Sequence, residues 1–222
     1  MTNTTRMVQR LLDHDVAIKR DLSRGVINKR ALAQYIQKHL HTDESIDAVM
    51  SAIRRYEFDI SEEKRFVNAG ELIKNGKIST KTGIAIVVLV KEPSVQELLP
   101  KLFTAIQHTR GKILRIIQAE ESIKIIVDEE NISKVTNLFK KNDVLNIEHN
   151  LGEINMELAP TSAKVPGILA ILFTELANNN INVVEAISCV PELLWFVNQK
   201  DLLKAHQTFL ELIEGFKRER KS

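Results

Sequence analysis

Cysteine is nearly absent from this chain: Cys189 is the only one in 222 residues. One thiol excludes an intrachain disulfide, and its place in an apolar stretch predicts a buried small hydrophobe. Long apolar runs are also missing. Ile84–Val90 is the most apolar and is far too short to span a bilayer. The opening, Met1 to Arg6, lacks the apolar core of a signal peptide. A cytoplasmic protein with no membrane partner is expected. Neither sign of charge dominates, since the net charge is +2, so total charge makes no case for nucleic acid. There is no glycine-rich phosphate loop: Gly111-Lys112 runs into Ile113, where a phosphate loop needs Ser or Thr. His39 and His41 fall on different faces of a helix with no cysteine nearby, so neither metal nor cofactor is expected. No nucleophile pairs with a base, and the chain is expected to be non-enzymatic.

What is present is an ordinary globular composition, 44% hydrophobic. Residues 1–58 read as a helical, helix-turn-helix-like domain. Met7, Val8, Leu11 and Leu12 share a face, and Asn28 is placed to cap a helix over Lys29–Leu40 with a stripe of Leu32, Tyr35, Ile36 and Leu40. A turn at His41-Thr42-Asp43 leads to a second stripe of Ile46, Val49, Met50 and Ile53. On faces opposite these stripes, Arg30, Lys38, Arg54 and Arg55 are the cations best placed for DNA phosphates. Asp43, Glu44 and Asp47 would open the second helix and repel a duplex, which favours a protein-interaction domain. Both alternatives stand.

Residues 59–81 read as a connector, with a helix possible from Ser61, a turn at Asn75-Gly76 and a start of the sheet at Ile78-Ser79-Thr80. Beyond it the order strand, helix, strand, strand, helix occurs twice, over 82–150 and 151–216, with a basic tail at 217–222. In the first copy the strand Ile84–Val90 precedes a helix from Val95 to Ile106, interrupted by Pro100. Two strands follow, Lys112–Gln118 and Ser122–Val127, then a helix Asn131–Lys141 and a strand Val144–Ile147. In the second, Ile168, Leu169, Leu172, Phe173 and Leu176 mark one buried helix face, and Asn178-Asn179-Asn180 ends that helix. Ile181–Ile187 and Leu193–Val197 read as strands, and a last helix starts at Asp201. This is the order of an α+β fold: two ferredoxin-like βαββαβ repeats behind a helical domain. The second copy lacks a fourth strand of its own, so the other repeat or a second chain would complete its sheet.

The phrases V-P-G-I-L at 165–169, E-L-A at 175–177 and N-I-N-V at 180–183 resemble the ACT domain, a small regulatory ligand-binding module. The closest likeness is to the paired ACT domains that regulate aspartate kinases. Ile113–Asn131 resembles the middle of such a unit, and no kinase domain accompanies it. The resemblance implies that an amino acid or similar small carboxylate binds at the backbone of Val165, Pro166, Gly167 and Ile168, with Asn180, Ile181, Asn182 and Val183 supplying contacts, often against a partner domain. A helix N-terminus suits a carboxylate. The first copy departs from the pattern, having Lys91-Glu92-Pro93-Ser94 with no glycine. The second is one residue long at I-N-V-V-E-A-I-S, so either Val184 or Glu185 faces the ligand position. Three functions follow: an amino-acid-binding regulatory homodimer, a ligand-responsive transcriptional regulator using the N-terminal helices, or a ligand-free assembly module regulating a separate enzyme.

Overall fold

The computed structural model describes residues 3–23, 25–56, 68–106 and 112–218. The chain forms two compact units, Met1–Arg65 and Phe66–Ser222, divided inside the expected connector.

The first unit holds α1 (Asn3–His14), α2 (Val16–Ser23), α3 (Lys29–His39) and α4 (Ile46–Arg54). The Asn28 side chain caps α3 by accepting from the backbone N–H groups of Arg30 and Ala31. Helix α4 packs against α1 and α3 around Val8, Leu12, Leu32, Ile36, Val49 and Ile53. Behind them the Tyr56 hydroxyl donates to Asp13 at 2.5 Å. Burial, reinforced by that hydrogen bond, pushes the phenol up to about 12.

Two expectations are corrected here. Ser45 caps α4, its Oγ accepting from the Ala48 N–H at 3.2 Å. Asp43 and Glu44 therefore lie outside the helix, because the serine satisfies the first free amide later than they would. Tyr35 is 47% exposed instead of inward. Leu32 and Ile36, one turn apart, complete the buried stripe, and Tyr35 stacks on His39 at 5.4 Å.

In the second unit α5 (68–73) precedes β1 (Lys77–Val90). The anticipated helix start at Ser61 lies outside the described residues. There follow α6 (Pro93–Gln96), α7 (Leu99–Ala105), β2 (Leu114–Gln118), β3 (Ser122–Asp128), α8 (Ile132–Thr136) and β4 (Val144–Glu157). The chain continues through α9 (Ile168–Asn178), β5 (Val183–Cys189), β6 (Glu192–Asn198) and α10 (Leu202–Arg218). The expected helix through Pro100 is two short ones, since proline is tolerated only in the first turn, where its missing N–H costs nothing. The helix expected to reach Lys141 stops at Thr136, and a turn closed by the Lys140 N–H on Asp143 leads into β4. The last helix absorbs Lys217 and Arg218 from the expected tail.

In place of two separate repeats there is one six-stranded antiparallel sheet, ordered β2-β3-β1-β4-β6-β5. Strands β1 and β4 each serve both halves. Ile84–Val90 of β1 pairs with β3, whereas Lys77–Lys81 pairs with Glu153–Glu157 of β4. The missing fourth strand of the later half is thus the start of β1, seven residues before the strand the sequence made obvious.

Each long strand has a bend at a left-handed residue, Gly83 (φ 70) in β1 and Asn150 (φ 54) in β4. Only glycine and asparagine adopt such angles at small cost. Each bend is clasped alike: Gln199 Oε1 accepts from the Gly83 N–H at 2.9 Å, and Glu129 Oε2 from the Asn150 N–H at 3.1 Å. The first bend shifts the register, so Ile78 faces the helices before it and Val87 and Leu89 after it.

The helices cover one face of the sheet with two cores. One gathers Trp195, Phe209, Leu172 and Ile73, and the other gathers Val87, Leu102, Ile125 and Phe139. The opposite face is also dry: Ile84, Ile86, Ile126, Leu194 and Phe196 are buried there, and the cluster they form holds no residue of a described helix of this unit. The sheet curls so that this face closes on itself. Arg115 of β2 reaches Glu153 of β4 at 2.6 and 3.1 Å, and Lys124 of β3 pairs with Glu185 of β5. A flat sheet would hold those strands about 14 and 19 Å apart.

Candidate functional site

A five-residue 3-10 helix, Pro160–Lys164, carries the chain from β4 to Val165, Pro166 and Gly167. Gly167 sits at φ 98 as the N-cap of α9, and no side chain caps the helix there. A Ser or Asp cap would occupy these amides; glycine leaves them to other acceptors. Ile168 is buried and fixes the first turn on the core, while Pro166 is exposed and Val165 and Gly167 are half-buried. At the far end, Asn180 takes φ 53 and the Ile181 N–H returns to the Leu176 carbonyl at 3.0 Å, closing the helix. Ile181 is buried, Asn182 exposed, and Val183 begins the edge strand β5.

The two groups of anticipated contacts therefore stand at opposite ends of α9. An 11-residue helix separates them by roughly 16 Å. Within one chain no small carboxylate spans both.

The extra residue in I-N-V-V-E-A-I-S is a bulge between Val183 and Glu185. It turns both candidate residues toward the inner face: Val184 packs on that core, and Glu185 pairs with Lys124. Two other expectations fail beside α9. Leu169 and Phe173 are 45% and 37% exposed, because Ile168, Leu172 and Leu176 alone fill the buried stripe of so short a helix. Cys189 is exposed, since β5 is an edge strand and Cys189 its last residue.

A groove of about 300 Å³ lies between α9 and α10, lined by Glu175, Asn179, Glu211 and Phe216. Its two carboxylates make it unsuited to an anion.

Sequence reading missed the charged pairs on the inner face. Arg115 lies with its guanidinium 6.0 Å from the Phe196 ring centroid, against a buried Glu153. The available signal was a lone arginine inside an apolar strand, L-R-I-I. It also missed Asp128, which accepts from the Ile113 N–H at 2.8 Å and pairs with Lys81 at 2.6 Å. Burial alone would raise that carboxyl, but the amide and the Lys81 ammonium outweigh it and hold it below its usual range. In the first unit Arg30, Lys38, Arg54 and Arg55 are all exposed: Arg30 and Lys38 at the two ends of α3, Arg54 and Arg55 at the end of α4. Among the described residues no three His, Cys, Asp or Glu side chains are grouped to hold a metal, and no helix is long and apolar enough to cross a membrane.

No protein-family model and no curated protein sequence matches the chain. Solved structures do. The aspartokinase alpha and beta subunits align with a TM-score of 0.50 and 14% identity, over 62% of this chain and 97% of that one. The aspartate kinase of Clostridium acetobutylicum aligns with a TM-score of 0.50 and 16% identity, over 61% of this chain but 34% of its own length. The ligand-free regulatory subunit of aspartate kinase from Thermus thermophilus aligns at 0.48 and 12%, over 61% and 95%. At such identities the likeness is one of fold: over about three-fifths of its length this chain shares the fold of the ACT-type domains of aspartokinases.

Proposed function

We propose that the protein is a non-enzymatic regulator that binds an amino acid or similar small carboxylate at the turn into α9. The observation that carries this reading is the glycine N-cap: Gly167 at φ 98 presents the uncapped amides of Ile168 and its successors at the positive end of a helix. The sheet would then be two interlocked ferredoxin-like repeats, each borrowing a strand from the other's long strand. Because Asn180–Val183 lie at the other end of α9, a second copy has to bring them to the ligand. The strand β5, at the edge of the sheet among the described residues, gives that copy a place to pair. A homodimer is thus part of the reading.

A thermal-shift panel of the twenty amino acids tests it. A binder at 100-fold its Kd stabilises by about 2.7 kcal/mol, a shift of several degrees. Light scattering should give the mass of two chains. No shift with any amino acid, together with a dimer in solution, would leave a ligand-free assembly module.

One observation favours a second reading, a ligand-responsive transcriptional regulator. With α4 starting at Ile46, only Asp47 remains in its first turn, so two of the three carboxylates that argued against DNA leave the helix. Arg30, Lys38, Arg54 and Arg55 would then contact phosphates. A mobility shift that weakens steeply with salt and responds to an amino acid supports this reading. No retardation at low salt rejects it.

A further inference from the structure

In the first unit a groove of about 620 Å³ lies between α1 and α3. Its floor is Met7, Leu11 and Leu40, all half-buried. Its rim carries Arg6 and Arg10, exposed and one helical turn apart on α1, facing the exposed Tyr35 of α3. Neither arginine has an ion-pair or hydrogen-bond partner among the described residues. The single acid on the rim, Asp15, is engaged in accepting from the Ile18 N–H at 2.9 Å at the start of α2. The groove thus joins an apolar floor to a rim on which two arginines outnumber one carboxylate.

Its chemistry narrows the occupant. Arg, Tyr and Met are the residues enriched at protein interfaces, and lysine, depleted there, is absent from this lining. The Tyr35 ring is already stacked on His39, so it offers an edge and a hydroxyl more readily than a free face for a nucleobase. The groove is open-sided, whereas small-ligand pockets bury most of their ligand. From Arg6 to His14 its wall runs roughly 12 Å, about two turns of helix.

We propose that this groove docks an acidic amphipathic helix of a partner protein. The helix lays apolar side chains, spaced three and four apart, on Met7, Leu11 and Leu40, and its carboxylates meet Arg6 and Arg10. The surface is independent of the α9 turn and of Arg30, Lys38, Arg54 and Arg55.

Fluorescence anisotropy on the full chain tests it with four labelled probes. The first is a 16-residue peptide with leucines at helical spacing among glutamates. The others are the same peptide with lysine for glutamate, a scrambled peptide, and a single-stranded oligonucleotide. The acidic amphipathic peptide should bind with a Kd in the range of about 1–100 µM, and the other probes should bind at least about tenfold more weakly. The double variant Arg6→Glu/Arg10→Glu and the variant Tyr35→Ala should each weaken it about tenfold or more. All three side chains are exposed, so the melting temperature should not move. The proposal is overturned if the scrambled or lysine peptide binds as well, if charge reversal leaves affinity unchanged, if no peptide binds below about 1 mM, or if the oligonucleotide binds most tightly and is lost in the same variants.

Discussion

Replacing Arg115 by methionine probes the curl of the sheet. Arg115 is on β2 and Glu153 on β4, with β3 and β1 between them in sheet order. Only a sheet that closes on its inner face lets them form a two-pronged pair at 2.6 and 3.1 Å. The Glu153 side chain is 7% exposed, so Arg115→Met leaves a carboxylate buried without its partner. Breaking such a pair costs about 3–5 kcal/mol when fully desolvated. The Arg115 side chain is 29% exposed, which lowers the expectation to about 2–3 kcal/mol. Some of that loss is packing, because the guanidinium lies by the Phe196 ring. In a unit of this size the melting temperature should fall by roughly 5–10 °C. Adding Glu153→Gln should recover about half of the loss, since the stranded charge is then removed. Urea denaturation of the two single variants and the double variant closes the cycle. A loss under about 0.5 kcal/mol for Arg115→Met, the size of a surface pair, with no coupling in the cycle, would refute the reasoning and with it the closed inner face.

Three further outcomes follow from named contacts. Asp128 is held below its ordinary range when folded, so it stabilises above the unfolded carboxyl value of about 4 and loses that contribution as pH falls through the folded one; Asp128→Asn should flatten the acid limb of stability against pH, and an unchanged limb contradicts the assignment. Tyr56 has the opposite sign: its stabilisation is complete below about 10 and lost as pH rises through about 12, so ultraviolet titration of the two tyrosines should show one ionising late, and loss of that late step in Tyr56→Phe identifies it. A Cβ on Gly152 would stand 2.7 Å from the buried Leu202 Cδ2, so Gly152→Ala should cost about 1–3 kcal/mol in urea, and a neutral result would mean that α10 shifts freely on the sheet.

Local chemistry was legible in the sequence. Asn28 as a cap, a helix end at Asn178-Asn179-Asn180, where Asn180 takes the left-handed angle, and strands at Ser122–Val127 and Leu193–Val197, each one or two residues longer in the fold, could all be read from residue type and spacing. What escaped depends on partners distant in the chain. Ile78-Ser79-Thr80 could be read as the start of the sheet, and β1 does begin at Lys77, but only its pairing with β4 makes Lys77–Lys81 the later half's fourth strand. The curl left no mark but isolated charges in apolar strands, because Arg115, Lys124, Glu153 and Glu185 acquire meaning only opposite one another. For the candidate site, V-P-G-I-L located the turn and its glycine, whose φ of 98 is strained for any other residue. For that reason Gly167→Ala would destabilise the turn with or without a ligand, and it does not isolate close approach of a carboxylate. The 16 Å between the two ends of α9 was fixed by helix length, yet a motif read as a continuous phrase concealed it.

The central claim is that a small carboxylate sits on the amides that open α9. Backbone amide shifts of the isotopically labelled full chain, titrated with the amino acid that gives the largest thermal shift, test it most directly. The account predicts the largest saturable changes at Ile168, Leu169 and Ala170, with smaller ones at Asn182 and Val183 from the second copy. Changes confined to other surfaces, or none with any of the twenty amino acids, would contradict it.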